Sequence, residues 1–185
     1  MRGADQHRMA LELMSGSIGW VLTVDEIVDR LGLSRQSGPG WSTRPPEGTD
    51  VPLTTDETTR VIAAAQQHAA DNGWRITVAI VDEGGLLQAL SRMDGAPPLS
   101  AQIAEAKACG AALWHREGDG LVEVAKTRPA FFEGVDRLVR LPIMPALGSV
   151  LVRRDGVVLG AVGCSGATAD QDKECGQAGL AAIGL

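Results

Sequence analysis

Tyrosine is missing from these 185 residues, phenylalanine occurs twice, and all aromatic residues together make up 3% of the chain. Proteins that hold single strands of nucleic acid stack the bases on aromatic side chains, and too few are present here for such a platform. Positive charge is also short. Lys and Arg number 17 against 23 Asp and Glu, a formal net charge of −6, and no run of five or more basic residues occurs. A surface that tracks phosphates needs the opposite balance, so no nucleic-acid partner is expected. No apolar stretch is long enough for a membrane-spanning helix, so no membrane partner is expected either. The three cysteines, Cys109, Cys164 and Cys175, are odd in number and far apart. That pattern suits reduced thiols rather than a disulfide framework. His7, His68 and His115 are scattered and no Cys-x-x-Cys occurs, so no metal site is predicted. The opening Met1-Arg2-Gly3-Ala4-Asp5-Gln6 lacks the basic-then-apolar pattern of a secretory leader. These absences together predict a cytoplasmic protein.

What is present is an apolar fraction of 44%, mostly Ala, Val, Leu and Ile, enough to bury a core. Residues 1–52 read as an N-terminal extension. Leu11, Leu13, Met14, Ile18, Val21 and Leu22 suggest a partly helical segment over 9–33, and Pro39, Pro45, Pro46 and Pro52 mark a linker. Trp20 and Trp41 need apolar cover, which favours an arm over a passive tail. A domain is expected over 53–185. Thr54 and Glu57 make a capping-box pattern before a helix whose face carries Val61, Ala65 and Ala69. Ile76–Val81 and Leu86–Met93 flank the turn Asp82-Glu83-Gly84-Gly85 as a first hairpin. A second helix is expected over 101–114, rich in small residues that let another backbone approach. Residues 116–142 read as irregular, with a short helix near 119–126. Leu147–Val152 and Val157–Val162 flank Asp155-Gly156 as a second hairpin. Thr168 and Gln171 repeat the capping box before a last helix, 168–182. Two hairpins with helices between them predict an α+β fold with helices packed on an antiparallel sheet.

Several blocks in register resemble the GlcG/HbpS-like family, also known as the domain of unknown function 336 group. They are Val81-Asp82-Glu83-Gly84-Gly85, Arg92-Met93-Asp94-Gly95-Ala96-Pro97, Ala106-Lys107-Ala108, residues 155–166 from Asp155-Gly156 to Ser165-Gly166, and residues 170–180 from Asp170-Gln171 to Gly179-Leu180. The resemblance covers about residues 53–184. It implies a profilin-like or PAS-like fold with a five-stranded antiparallel sheet, dimers or larger symmetric assemblies, and haem binding in some members. A related domain closes certain corrinoid adenosyltransferases. Members often carry a Gly-Gly-Gly-x-Pro-Leu stretch where this chain reads Leu141-Pro142-Ile143-Met144-Pro145-Ala146-Leu147-Gly148. The export signal of secreted haem-binding members is also missing here.

Gly163, Cys164, Ser165 and Gly166 lie between a strand and a helix N-terminus, where free N–H groups and the helix dipole suit a carboxylate or phosphate. The alternative is a tight turn that needs glycine. Neither a nucleophile elbow nor a P-loop is spelled here. Lys107 is a candidate pocket cation for an acidic ligand, or a surface residue with a snorkelling stem. Asp172 is its candidate partner, or a helix-dipole residue. Cys164 is the thiol best placed for activation at a helix N-terminus, or a small buried hydrophobe. His68 and His115 are candidate axial ligands if haem binds. Arg92 and Asp94 read as a local pair around a turn. The leading functional reading is a homo-oligomeric small-molecule-binding protein, with haem or a related tetrapyrrole as the nameable cofactor. The alternatives are a cofactor-independent enzyme acting on a small carboxylated metabolite through Lys107, Asp172 and the 163–166 turn, and a structural protein without a ligand.

Overall fold

The computed structural model describes residues 53–185, so the expected helical arm over 9–33, the linker, Trp20 and Trp41 lie outside the described residues. Helix α1 (Thr55–Asp71) begins as its sequence requires. Thr54 Oγ1 accepts from the Glu57 N–H at 3.2 Å, and Glu57 Oε2 accepts from the Thr54 N–H at 2.9 Å. Two otherwise orphaned donors are thereby satisfied. Thr58, Val61, Ala65 and Ala69 form its buried stripe. Strands β1 (Thr77–Asp82) and β2 (Leu87–Arg92) follow as a hairpin. Asp82 Oδ1 accepts from the Leu86 N–H at 2.8 Å and holds the turn shut.

On the other side of three further helices, β3 (Ser149–Arg154) and β4 (Val157–Ser165) make the second hairpin. Its loop residues Asp155 and Gly156 have φ of 51° and 82°. Both are left-handed, the geometry whose twist matches that of the flanking strands. The sheet order is β2-β1-β4-β3, and every pair is antiparallel. The α+β class is as expected, but the described residues hold four strands rather than five. The extended stretch before β3 adds no strand. Pro142 and Pro145 have no N–H to give a ladder, and the Ala146 N–H turns back onto the Met144 carbonyl at 2.9 Å.

Alternation along the strands sorts the core into two faces. Val78, Ile80, Val150, Val152, Val162 and Cys164 face α1 and α5 (Ala169–Ala181). Val81, Leu151 and Ala161 face Ala108, Ala111 and Ala112 of α2 (Ser100–Trp114). The sheet is the middle of three layers. Fully buried side chains such as Ile76 and Ile80 each contribute about 1.5–3 kcal/mol by leaving water.

The short helix expected near 119–126 is α3 (Gly118–Thr127), and the stretch after it, expected to be irregular, holds a second helix, α4 (Pro129–Asp136). Leu121 and Phe132 bury themselves with Ile143 in a third cluster beside α2, and Pro129 supplies a pre-set first turn. Helix α5 opens on the second capping box, with Thr168 and Gln171 exchanging hydrogen bonds. No helix among the described residues is long and apolar enough to cross a membrane. No group of three His, Cys, Asp or Glu side chains among them is placed to hold a metal ion.

Candidate functional site

Lys107 and Asp172 meet. Lys107 Nζ donates to Asp172 Oδ2 at 2.8 Å and to the Cys164 carbonyl at 2.9 Å. Asp172 Oδ1 accepts from the Ala167 N–H at 3.1 Å and so closes the turn that leads into α5. Both side chains are buried, 5% and 3% exposed. Helices α2 and α5 lie on opposite faces of the sheet, and the Lys107–Asp172 pair joins them. Burial pushes the Asp172 carboxyl above its ordinary range, against the hydrogen bond and charge of Lys107 and the Ala167 N–H.

The turn expected at 163–166 is mostly strand. Gly163, Cys164 and Ser165 are the last residues of β4, and each pairs with β1. The strand runs on because β1 pairs with it as far as Ser165, while β3 pairs with it as far as Gly163. A side chain at Gly163 would collide with the Ala104 carbonyl of α2, and one at Gly166 with the Arg75 carbonyl. Backbone from neighbouring elements therefore packs closely at both glycines. Cys164 is fully buried, and burial pushes its thiol well above the ordinary range. It stays protonated, the opposite of what a nucleophile needs. Cys175 is likewise pushed up to about 11.

The histidines are elsewhere. His68 lies on α1, edge-on to Trp74 with ring centroids 5.9 Å apart. Its Nε2 is 3.9 Å from Glu174 Oε2, past hydrogen-bonding distance. His115 is the C-cap of α2, in a left-handed conformation with φ 50°. Neither approaches Lys107 through any contact described for it.

Sequence reasoning missed Gly148. With φ of +101°, it sits where a Cβ would stand 2.7 Å from Asp172 Cβ, 2.8 Å from Lys107 Nζ and 2.8 Å from the Cys164 carbonyl. In the stretch that departs from the family's glycine cluster, this one glycine stays where the ion pair requires it. Sequence reasoning also missed an open apolar groove of about 230 Å³. Leu99, Ile103 and Ala106 of the α2 side form one wall, and Leu141, Pro142, Ile143 and Met144 form the other. The one legible sign was Leu99 and Ile103, four residues apart and off the alanine stripe that packs on the sheet.

A family model described as "Haem degrading protein HbpS-like" matches residues 53–181. The chain belongs to the HbpS-like family. Protein GlcG of Escherichia coli strain K12 is 41% identical over 119 residues, which span 63% of this chain and 84% of that protein. The crystal structure of HbpS superposes with a TM-score of 0.67 at 27% identity, over 80% of this chain and 99% of that one. The crystal structure of a PduOC–haem complex superposes with a TM-score of 0.65 at 27% identity, over 72% of this chain and 96% of that one. The HbpS-like match thus begins at Leu53, immediately before the capping box of α1.

Proposed function

We propose that this HbpS-like chain is a small-molecule-binding protein whose ligand is a haem or a related tetrapyrrole, laid against the groove between α2 and the 141–144 segment. The groove carries this reading. It is lined almost wholly by apolar side chains, with Gln102 as the polar exception, and such a wall suits the flat face of a macrocycle. Its volume of about 230 Å³ is below the roughly 300–1,000 Å³ of pockets that enclose a ligand, so it grips part of the ring and leaves the rest uncovered. The lining also holds one candidate donor. Met144 brings a thioether, a group that ligates haem iron. Arg140, next to Leu141 and 65% exposed, stands 3.9 Å from Glu105 and offers positive charge for a propionate. The haem held by the related PduOC supports the same reading. Bound haem would supply a redox-active iron. In this reading Lys107, Asp172 and the end of β4 are scaffolding that holds the layers together.

Titration with hemin tests the proposal. We expect a Soret shift that saturates with a Kd on the order of micromolar, since only part of the ring is covered. Replacing Ile103 by Asp, which puts a charge on the groove wall, should weaken binding while leaving the melting curve in place. An unchanged hemin spectrum, or an Ile103→Asp variant that binds as well as the parent, overturns the groove reading.

A further inference from the structure

We infer that Asp136 is the positioning residue of the groove: its carboxylate fixes how the 141–144 segment faces α2, and its part in binding rests on the groove being the ligand site. The segment has little else to hold it. Pro142 and Pro145 have no N–H to give, and the Ala146 N–H is spent locally, on the Met144 carbonyl at 2.9 Å. Among the described residues, the one hydrogen bond that ties residues 141–144 to another element runs from the Ile143 N–H to Asp136 Oδ1, at 2.6 Å. A carboxylate acceptor makes such a bond short and strong.

The Ile143 side chain is a second anchor, and it does not replace the first. It is buried with Leu121 and Phe132. It also fits where α2 has no side chain, since a Cβ at Gly110 would stand 2.5 Å from Ile143 Cγ2. Apolar contact of this kind holds a position but has no direction. A hydrogen bond does have a preferred direction, so the Asp136 bond decides which way the backbone turns at Ile143. That sets how Pro142 and Met144, its neighbours on the wall, are presented to Leu99, Ile103 and Ala106 across the groove.

Asp136 is out of place by local rules. It is the last residue of α4, where the helix dipole disfavours negative charge. None of the ion pairs among the described residues includes it. What its placement gains is the bond to Ile143, and a local rule broken in this way is expected at functional sites.

Hemin titration and amide hydrogen exchange on the full chain test the assignment, with the parent, Asp136→Ala and Asp136→Asn compared. Asp136→Ala removes the acceptor, and Asp136→Asn keeps an oxygen in its place. The Ile143 amide of Asp136→Ala should exchange on the order of 10–100-fold faster than the parent's, the loss expected for a hydrogen bond to a charged group. Hemin should bind it about tenfold more weakly, because the wall must then be set in place on binding. Asp136→Asn should recover most of both, a rescue that a general loss of stability would not follow. An Asp136→Ala variant that binds hemin as tightly as the parent overturns the positioning role and leaves the groove reading standing. An Asp136→Asn variant as impaired as Asp136→Ala overturns the assignment to the acceptor oxygen. If the parent binds no hemin, the groove reading falls, and the Ile143 exchange rates alone decide whether Asp136 holds the segment.

Discussion

At the scale of single residues, the decisive group is the Lys107 ammonium. Two of its three protons go to Asp172 and to the Cys164 carbonyl, and the pair is shut away from water. Burial alone works against such a pair, because two charges leave water to form it. Removing one partner is worse, because the other is left buried and bare. Lys107→Met and Asp172→Asn should therefore each lower stability by about 3–5 kcal/mol, read from denaturant unfolding. The double replacement Lys107→Met with Asp172→Leu should recover much of that loss. Single variants that melt like the parent would return Lys107 to the role of a ligand-facing cation. The pair was legible in the sequence as two residues of opposite sign in recurrent blocks. Its burial was not, because burial depends on which side of the sheet each helix takes.

At the scale of elements, close approach replaces side-chain volume at two places. Helix α2 lies on β4 so tightly that Gly163 meets the Ala104 carbonyl, and α5 lies on α1 so that a Cβ at Gly179 would stand 2.8 Å from the Val61 carbonyl. The small residues on α2 read from the sequence as a place where another backbone can approach. Ala104, Ala108, Ala111 and Ala112 are wholly buried, and the backbone that approaches is this chain's own β4. Gly163→Ala should force the helix off the strand and cost about 1–3 kcal/mol or more. A Tm equal to the parent's would show that the contact gives easily. The N-terminus of α1 carries a pH response. Glu57 is tied to Thr54 and accepts from Arg154 at 2.6 Å, across to β3. Burial works to raise its pKa, but the hydrogen bonds from Thr54 and Arg154 and the Arg154 charge outweigh it and hold the carboxyl below its ordinary value of 4.5. A depressed folded pKa stabilises the fold above the unfolded value and loses that contribution as pH falls through the folded one. Glu57→Gln should thus be less stable than the parent at pH 7, and the gap should narrow below about 4.5. A gap that is constant across that range would refute the electrostatic part.

At the scale of the whole molecule, three apolar clusters close within residues 53–185. A chain cut to 53–185 is therefore expected to unfold in one cooperative thermal transition, followed by circular dichroism. A broad, non-cooperative melt would mean that the proposed domain boundary is misplaced.

Local rules were enough for the parts of this protein that local rules govern. Thr54-x-x-Glu57 and Thr168-x-x-Gln171 predict their helix starts, and Asp155-Gly156 predicts its hairpin, because capping and turn geometry depend on residues three or four apart. The blocks in register with the family point to the α+β class. Tertiary structure decided the rest. Gly163–Ser165 became strand because Thr77–Ala79 of β1 pair with it, information held far away in the chain. The helix expected near 119–126 is there as α3, but the rest of 116–142 gained order, α4 included, because Leu121, Phe132 and Ile143 find one another, a contact no local period reveals. The groove with Met144 exists only because the 141–144 segment is laid along α2 with Ile143 anchored beneath. Contacts between residues distant in sequence are set by which faces the core buries, and that choice is made by the whole fold at once.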